Sequence, residues 1–119
     1  MGYTLVNKDD PAVESFRDVF FKIRRALGTT AFGINEVRLP AGIEGFEHDE
    51  TETGHEEVYI VLEGDGTFTV DGDSVAVVTG DYLRIDAEAV RKVVAGDDGL
   101  TFVVVAARPQ AEYDGRPSL

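Results

Sequence analysis

The chain has 119 residues, with 11 basic and 23 acidic side chains, no cysteine, and a formal charge of −12 at pH 7. Without cysteine, disulfides, thiolate-held zinc, iron–sulfur clusters and thiol catalysis are excluded. A charge of that sign argues against binding nucleic acid or an anionic membrane, since both need cations opposite phosphate. The length suits one domain with a core of its own. The opening MGYTLVNKDD has neither the basic start nor the apolar stretch of a signal peptide. The longest apolar run, FVVVAA at 102–107, is far short of a bilayer span. The expectation is a soluble, cytoplasmic protein.

In chain order, a short strand is expected at 3–6. Residues 11–27 then place Val13, Phe16, Val19, Phe20, Ile23 and Leu27 at helical spacing. Asp9 or Asp10 can cap that helix, Pro11 suits its first turn and Gly28 its stop, and Arg24 and Arg25 fall where the dipole favours cations. The apolar stripe reads as a packing face and the helix as structural. From Ala31 the pattern changes to short β segments, with strands expected at 31–39, 45–50, 55–63, 66–70, 73–78, 81–85, 91–95 and 100–107. Turns are expected at Gly64-Asp65-Gly66, Val70-Asp71-Gly72-Asp73 and Ala95-Gly96-Asp97-Asp98-Gly99, because glycine tolerates the positive φ that tight turns need. So many short strands imply an all-β sandwich or barrel. The tail AEYDGRPSL is polar and expected on the surface.

Acid is concentrated in the middle of the chain. Between Arg38 and Arg84 there is no Lys or Arg, while Glu44, Glu47, Asp49, Glu50, Glu52, Glu56, Glu57, Glu63, Asp65, Asp71, Asp73 and Asp81 all lie there. Most of them read as a solvated acidic face of the kind salt-adapted proteins favour. A few are interleaved with the two histidines, His48 and His55, each followed two residues later by a carboxylate, Glu50 and Glu57. Residues two apart on a strand share a face. A hairpin turning at 51–54 would therefore let His48, Glu50, His55 and Glu57 project together as a nitrogen and oxygen site for Fe, Mn, Ni, Zn or Cu. The plainer reading is two surface histidines in an acidic loop. Beyond Glu57, Tyr59 and Val61 share its face and Val58, Ile60 and Leu62 take the other, so both faces are apolar and Glu57 needs a cation, an arginine or a proton. Glu56, out of phase, is expected to face solvent. Tyr59 and Tyr82 are candidate pocket residues. No serine sits in a nucleophile elbow and no phosphate-cradling loop is present.

The spacing Gly42-x5-His48-x-Glu50-x6-Glu57-x6-Gly64 resembles the first motif of the small cupins, Gly-x5-His-x-His followed by Glu and Gly, and EEVYIVLEGDG at 56–66 is similar to what they carry there. Gly80-x5-Asp86-x-Glu88-x2-Arg91 resembles the second motif. The resemblance covers roughly 31–107. It implies a jelly-roll β-barrel, the double-stranded β-helix, with the site inside and a homodimer as the common assembly. With the added N-terminal helix, it divides the chain into an N-terminal extension at 1–30, a barrel at 31–107 and a surface tail at 108–119.

Carried over by position, His48 stands for the family's first histidine, Glu50 for the second, Glu57 for the glutamate and Arg91 for the third histidine. The segment before Glu57 is two residues longer than the motif, and an alternative alignment puts Glu50 and Glu52 at the histidine positions. His55 has no counterpart but is in phase with Glu57. An arginine stays protonated and cannot ligate a metal. Arg91 is therefore expected to pair with Glu57 or Glu50 in place of the ion, to clamp an anionic substrate beside an ion, or to face solvent on a strand shifted by one. Two functions follow. The first is a small-molecule-binding barrel with an acidic His/Glu-lined pocket and an inward arginine. The second is a metal-dependent enzyme of oxygenase or isomerase type, with the ion held by His48, Glu50, His55 and Glu57.

Overall fold

The computed structural model describes residues 2–109 together with Tyr113 and Gly115. Seven strands and one short helix follow in the order β1 (Ser15–Phe16), β2 (Phe20–Phe21), α1 (Ile23–Leu27), β3 (Gly33–Leu39), β4 (Glu56–Val70), β5 (Asp73–Val78), β6 (Tyr82–Ile85) and β7 (Arg91–Ala107). All pairings are antiparallel, the sheet runs β1-β2-β3-β7-β4-β5, and β6 also pairs with β4. This is the β-barrel expected from the sequence. Strands β4 and β7 are long enough to serve both of its walls. The first half of β4 lies between β6 and the end of β7, and its second half between β5 and the start of β7.

Two expected turns are corners within these long strands. Opposite Gly64-Asp65-Gly66 the register jumps from Leu100 to Ala95, so residues 96–99 bulge out while both strands continue. A large bulge of this kind bends a sheet without ending it. The glycines are there because the two bends touch. A Cβ on Gly64 would lie 2.0 Å from the Gly99 carbonyl oxygen, and Gly64 has φ +82°. The third turn is a true hairpin: Asp71 (φ 47°) and Gly72 (φ 89°) provide the two left-handed residues of a two-residue turn between β4 and β5.

The helix expected over 11–27 is reduced to Ile23–Leu27. It ends as read, with Gly28 at φ 76° donating its N–H to the Arg24 carbonyl. Upstream, Arg17 and Asp18 take φ 55° and 54° and turn the chain into the β1–β2 ribbon. That ribbon pairs Phe20 with Val37 and Phe21 with Glu36 on the edge of β3. The apolar stripe consists mostly of Val and Phe, which suit a strand as well as a helix, and an unpaired sheet edge decides between them. The strand expected at 3–6 is irregular, with Tyr3, Thr4 and Leu5 exposed. The one expected at 45–50 is irregular too, held beside β7 by single bridges from Glu44 to Val94 and from His48 to Arg91. Of the tail at 108–119, residues 110–112, 114 and 116–119 lie outside the described residues.

The core is the inward face of the barrel: Leu39, Tyr59, Val61, Phe68, Val77, Ile85, Ala95, Leu100 and Phe102. Tyr59, Phe68 and Phe102 pack edge-on and tilted, with ring centroids 4.8, 5.4 and 5.8 Å apart. Among the described residues no helix is long and apolar enough to cross a membrane.

Candidate ligand and metal site

The site forms where the 43–50 segment passes the start of β7 and faces the start of β4. His48 and Arg91 exchange backbone hydrogen bonds at 2.9 and 2.8 Å, Glu50 N–H donates to the Ala87 carbonyl at 2.8 Å, and the turn at 51–54 closes with Gly54 N–H donating to the Glu50 carbonyl at 2.7 Å. These contacts bring the 48–50 segment alongside the first residues of β4. Glu57, Tyr59 and Val61 alternate inward as expected, and Glu57 is 9% exposed.

Arg91 is only 1% exposed and is among the largest fully buried side chains. Its Nη2 donates to Glu57 Oε1 at 3.0 Å and its Nη1 to the Ala89 carbonyl at 2.7 Å, while Nε is buried without a partner among the described residues. The Tyr59 hydroxyl donates to the same Glu57 oxygen at 2.6 Å. Both donors meet Oε1, which leaves Oε2 to accept a further donor. Arg91 is thus inward and paired with Glu57, and the expectation of a shifted strand with Arg91 in solvent is corrected. Burial works against the guanidinium's charge. The Tyr59 hydroxyl and the nearby Glu57 and Glu50 carboxylates outweigh that burial and hold its pKa above the ordinary arginine value. Burial, followed by the charge of Glu57, pushes the Tyr59 phenol above its ordinary range.

Three of the four expected ligand residues come together. One donor atom each from His48, Glu50 and Glu57 lies within 4.8 Å of the others, so the group could hold a metal ion. His48 Nε2 is 3.4 Å from Glu50 Oε2 and 4.0 Å from Glu57 Oε1. Its Nδ1 lies 3.2 Å from the Phe46 carbonyl. A proton donated there directs Nε2 at the carboxylates, an orientation that suits either an imidazolium or a metal ligand. Thr53 Oγ1 donates to Glu50 Oε1 at 2.9 Å and holds that carboxylate. One imidazole and two carboxylates fit a divalent ion as a three-donor set. His55 does not join them. Its Nδ1 is 3.8 Å from Glu50 Oε1, whereas His48 is nearest the other oxygen, Oε2, and His55 lines a second hollow together with Arg24, Ala106 and Arg108.

A cavity of about 640 Å³ opens beside His48, Glu57 and Tyr59. Its other walls are Val37, Leu39, Phe102 and Val104 of the barrel, Phe16 and Phe20 of the ribbon, and Ile43 and Phe46 of the irregular segment. Tyr82, expected to line a pocket, is 73% exposed on the outer face of β6, because its partner in the register is outward-facing Ile60. The ribbon and the 43–46 residues of the wall were not anticipated. The available signal was Ile43 and Phe46 standing alone in the acidic run GIEGFEHDE, together with the Phe20-Phe21 pair.

Comparison with known proteins agrees with this architecture. A cupin protein from Bacteroides fragilis matches with a TM-score of 0.78 and 25% identity over 100% of this chain and 99% of its own. A predicted oxalate decarboxylase from Thermotoga maritima matches at 0.71 and 21% identity over 88% and 99%, and a protein from Photorhabdus luminescens at 0.71 and 18% over 87% of each. No curated protein matches the chain. The cupin domain matches residues 35–106, more than half of the sequence, and the chain belongs to the cupin family.

Proposed function

We propose that the protein is a small-molecule-binding cupin in which the Arg91–Glu57 ion pair takes the place of part of the family's metal shell. The observation that carries this reading is the burial of Arg91 against Glu57 beside a largely apolar cavity. That cavity lies within the roughly 300–1,000 Å³ typical of ligand clefts. A fixed positive charge 3.0 Å from Glu57 already neutralises the carboxylate that a divalent ion would seek. The cytoplasmic location and the homodimer belong to the same proposal. Supporting the dimer, Leu62 and Tyr82 are exposed apolar residues on the outside of the barrel wall.

The second reading, a metal-dependent enzyme of oxygenase or isomerase type, is favoured by the convergence of His48, Glu50 and Glu57. These residues would hold the ion, and the ion would supply Lewis acidity or redox chemistry to a substrate in the cavity. The chain's own part would be to orient that substrate against Tyr59 and the apolar wall and to keep water out. Metal analysis of protein purified without chelator or nickel resin separates the two. The expected content is below about a tenth of an equivalent of any transition metal. Near-stoichiometric metal that is lost in His48→Ala would instead establish the second reading, and full retention in His55→Ala would confine the ligands to the other three.

A further inference from the structure

Resting on the reading of the barrel as a ligand site, we infer that its ligand is a mainly apolar molecule carrying a neutral or cationic hydrogen-bond donor, and that the site rejects carboxylates and small dianions. The argument is one of charge placement. Apart from its polar end, the wall is hydrocarbon and aromatic: Phe16, Phe20, Ile43, Phe46, Phe102 and Val104. Phe46 is 79% exposed, and Phe16 and Ile43 are about half exposed, so apolar surface is left for a ligand to cover. At the polar end, Arg91 is spent on Glu57 and a backbone carbonyl and is not on the cavity wall. Of the wall's other ionisable groups, Glu44 is paired with Lys92 at 3.0 Å, His48 faces Glu50 and Glu57, and Arg17 lies on the exposed β1–β2 turn with its guanidinium 5.0 Å over the Phe16 ring.

A ligand carboxylate at this end would meet Glu57 on the wall and the charge of Glu50, whose Oε2 lies 3.4 Å from the wall residue His48, while Arg91 is already engaged and Arg17 lies out on the exposed turn. The net charge of −12 adds to that repulsion. An O–H or N–H donor would instead find Glu57 Oε2, and an ammonium would gain a charge-assisted bond.

Because the chain has no tryptophan, a naphthyl probe can be followed by its fluorescence without indole interference. The full-length protein is titrated with 1-naphthylmethylamine, 1-naphthalenemethanol and 1-naphthoate, which share one apolar body. The amine and the alcohol are expected to bind more tightly than the carboxylate by about tenfold or more. That preference should shrink in Glu57→Gln and Glu50→Gln, with circular dichroism reporting on folding. If Glu57→Gln strands Arg91 and fails to fold, Glu50→Gln decides. Naphthoate binding as tightly as the amine, or doing so through Arg17 and losing it in Arg17→Ala, overturns the inference while the ligand site stands. A preference unchanged in the folded carboxylate variants overturns it as well. Failure of all three probes to bind the folded protein overturns the ligand-site reading itself.

Discussion

Arg91 and Glu57 form the most consequential contact in the molecule, because each would be costly to bury without the other. A buried pair is weak evidence for net stability, but removing one member leaves an unpaired charge. Arg91→Met is expected to lower the unfolding free energy by about 3–5 kcal/mol. Adding Glu57→Gln should restore much of that loss, and urea titrations of the single and double variants measure the coupling. A loss below about 0.5 kcal/mol for the single variant would mean that the pair contributes nothing. Tyr59 provides a second test through pH. Its phenol has an ordinary value of 10.0, raised in the folded protein first by burial and then by the charge of Glu57. Above pH 10 the unfolded chain releases this proton while the folded one keeps it, so the unfolded state binds fewer protons and stability falls as pH rises. Melting temperatures above pH about 10 should fall more steeply for the wild type than for Tyr59→Phe, with exposed Tyr82→Phe as the control.

At the scale of elements, the barrel depends on where β4 and β7 bend. Gly64 combines φ +82° with a neighbouring carbonyl where a Cβ would have to sit, whereas Gly72, at φ +89° in the hairpin, has nothing within 4 Å. Gly72→Ala carries only the left-handed backbone penalty, about 1–2 kcal/mol. Gly64→Ala must also push two strands apart and is expected to cost clearly more, above about 2 kcal/mol. Equal losses in denaturant melts would show that the corner is not a close contact. The β1–β2 ribbon illustrates a different point. Its residues match a helical stripe, but pairing with β3 satisfies backbone groups on a sheet edge and brings Phe16 and Phe20 to the cavity wall.

Viewed as a whole, the molecule closes around an inward face that is only partly filled. Phe68, Leu100 and Ile85 are fully buried, while Val37, Leu39, Phe102 and Val104 line a hollow of about 640 Å³. Enlarging a side chain in a filled core costs about 1–3 kcal/mol. Val104→Trp is therefore expected to change stability by less than about 1 kcal/mol, because the ring has space to enter, and to abolish binding of naphthalenemethanol, read by titration calorimetry since the new indole would mask the probe's fluorescence. A large destabilisation would show that the hollow does not admit a side chain.

The alternation of Glu57, Tyr59 and Val61, the Asp71-Gly72 hairpin, the Gly28 stop and the glycine spacing from Gly42 to Gly64 were all legible in the sequence, and they were enough to identify the barrel and its family. They are local: a period of two, a positive φ or a fixed spacing is written in neighbouring residues. Tertiary structure alone decided the rest. Whether residues 11–22 coil or pair depends on an open sheet edge contributed by residues 33–39. Whether Gly64-Asp65-Gly66 reverses the chain or merely bends it depends on the bulge at 96–99. Whether His55 or Arg91 meets Glu57 depends on how two segments 34 residues apart pack, and a single strand's periodicity carries no information about the strand across the barrel.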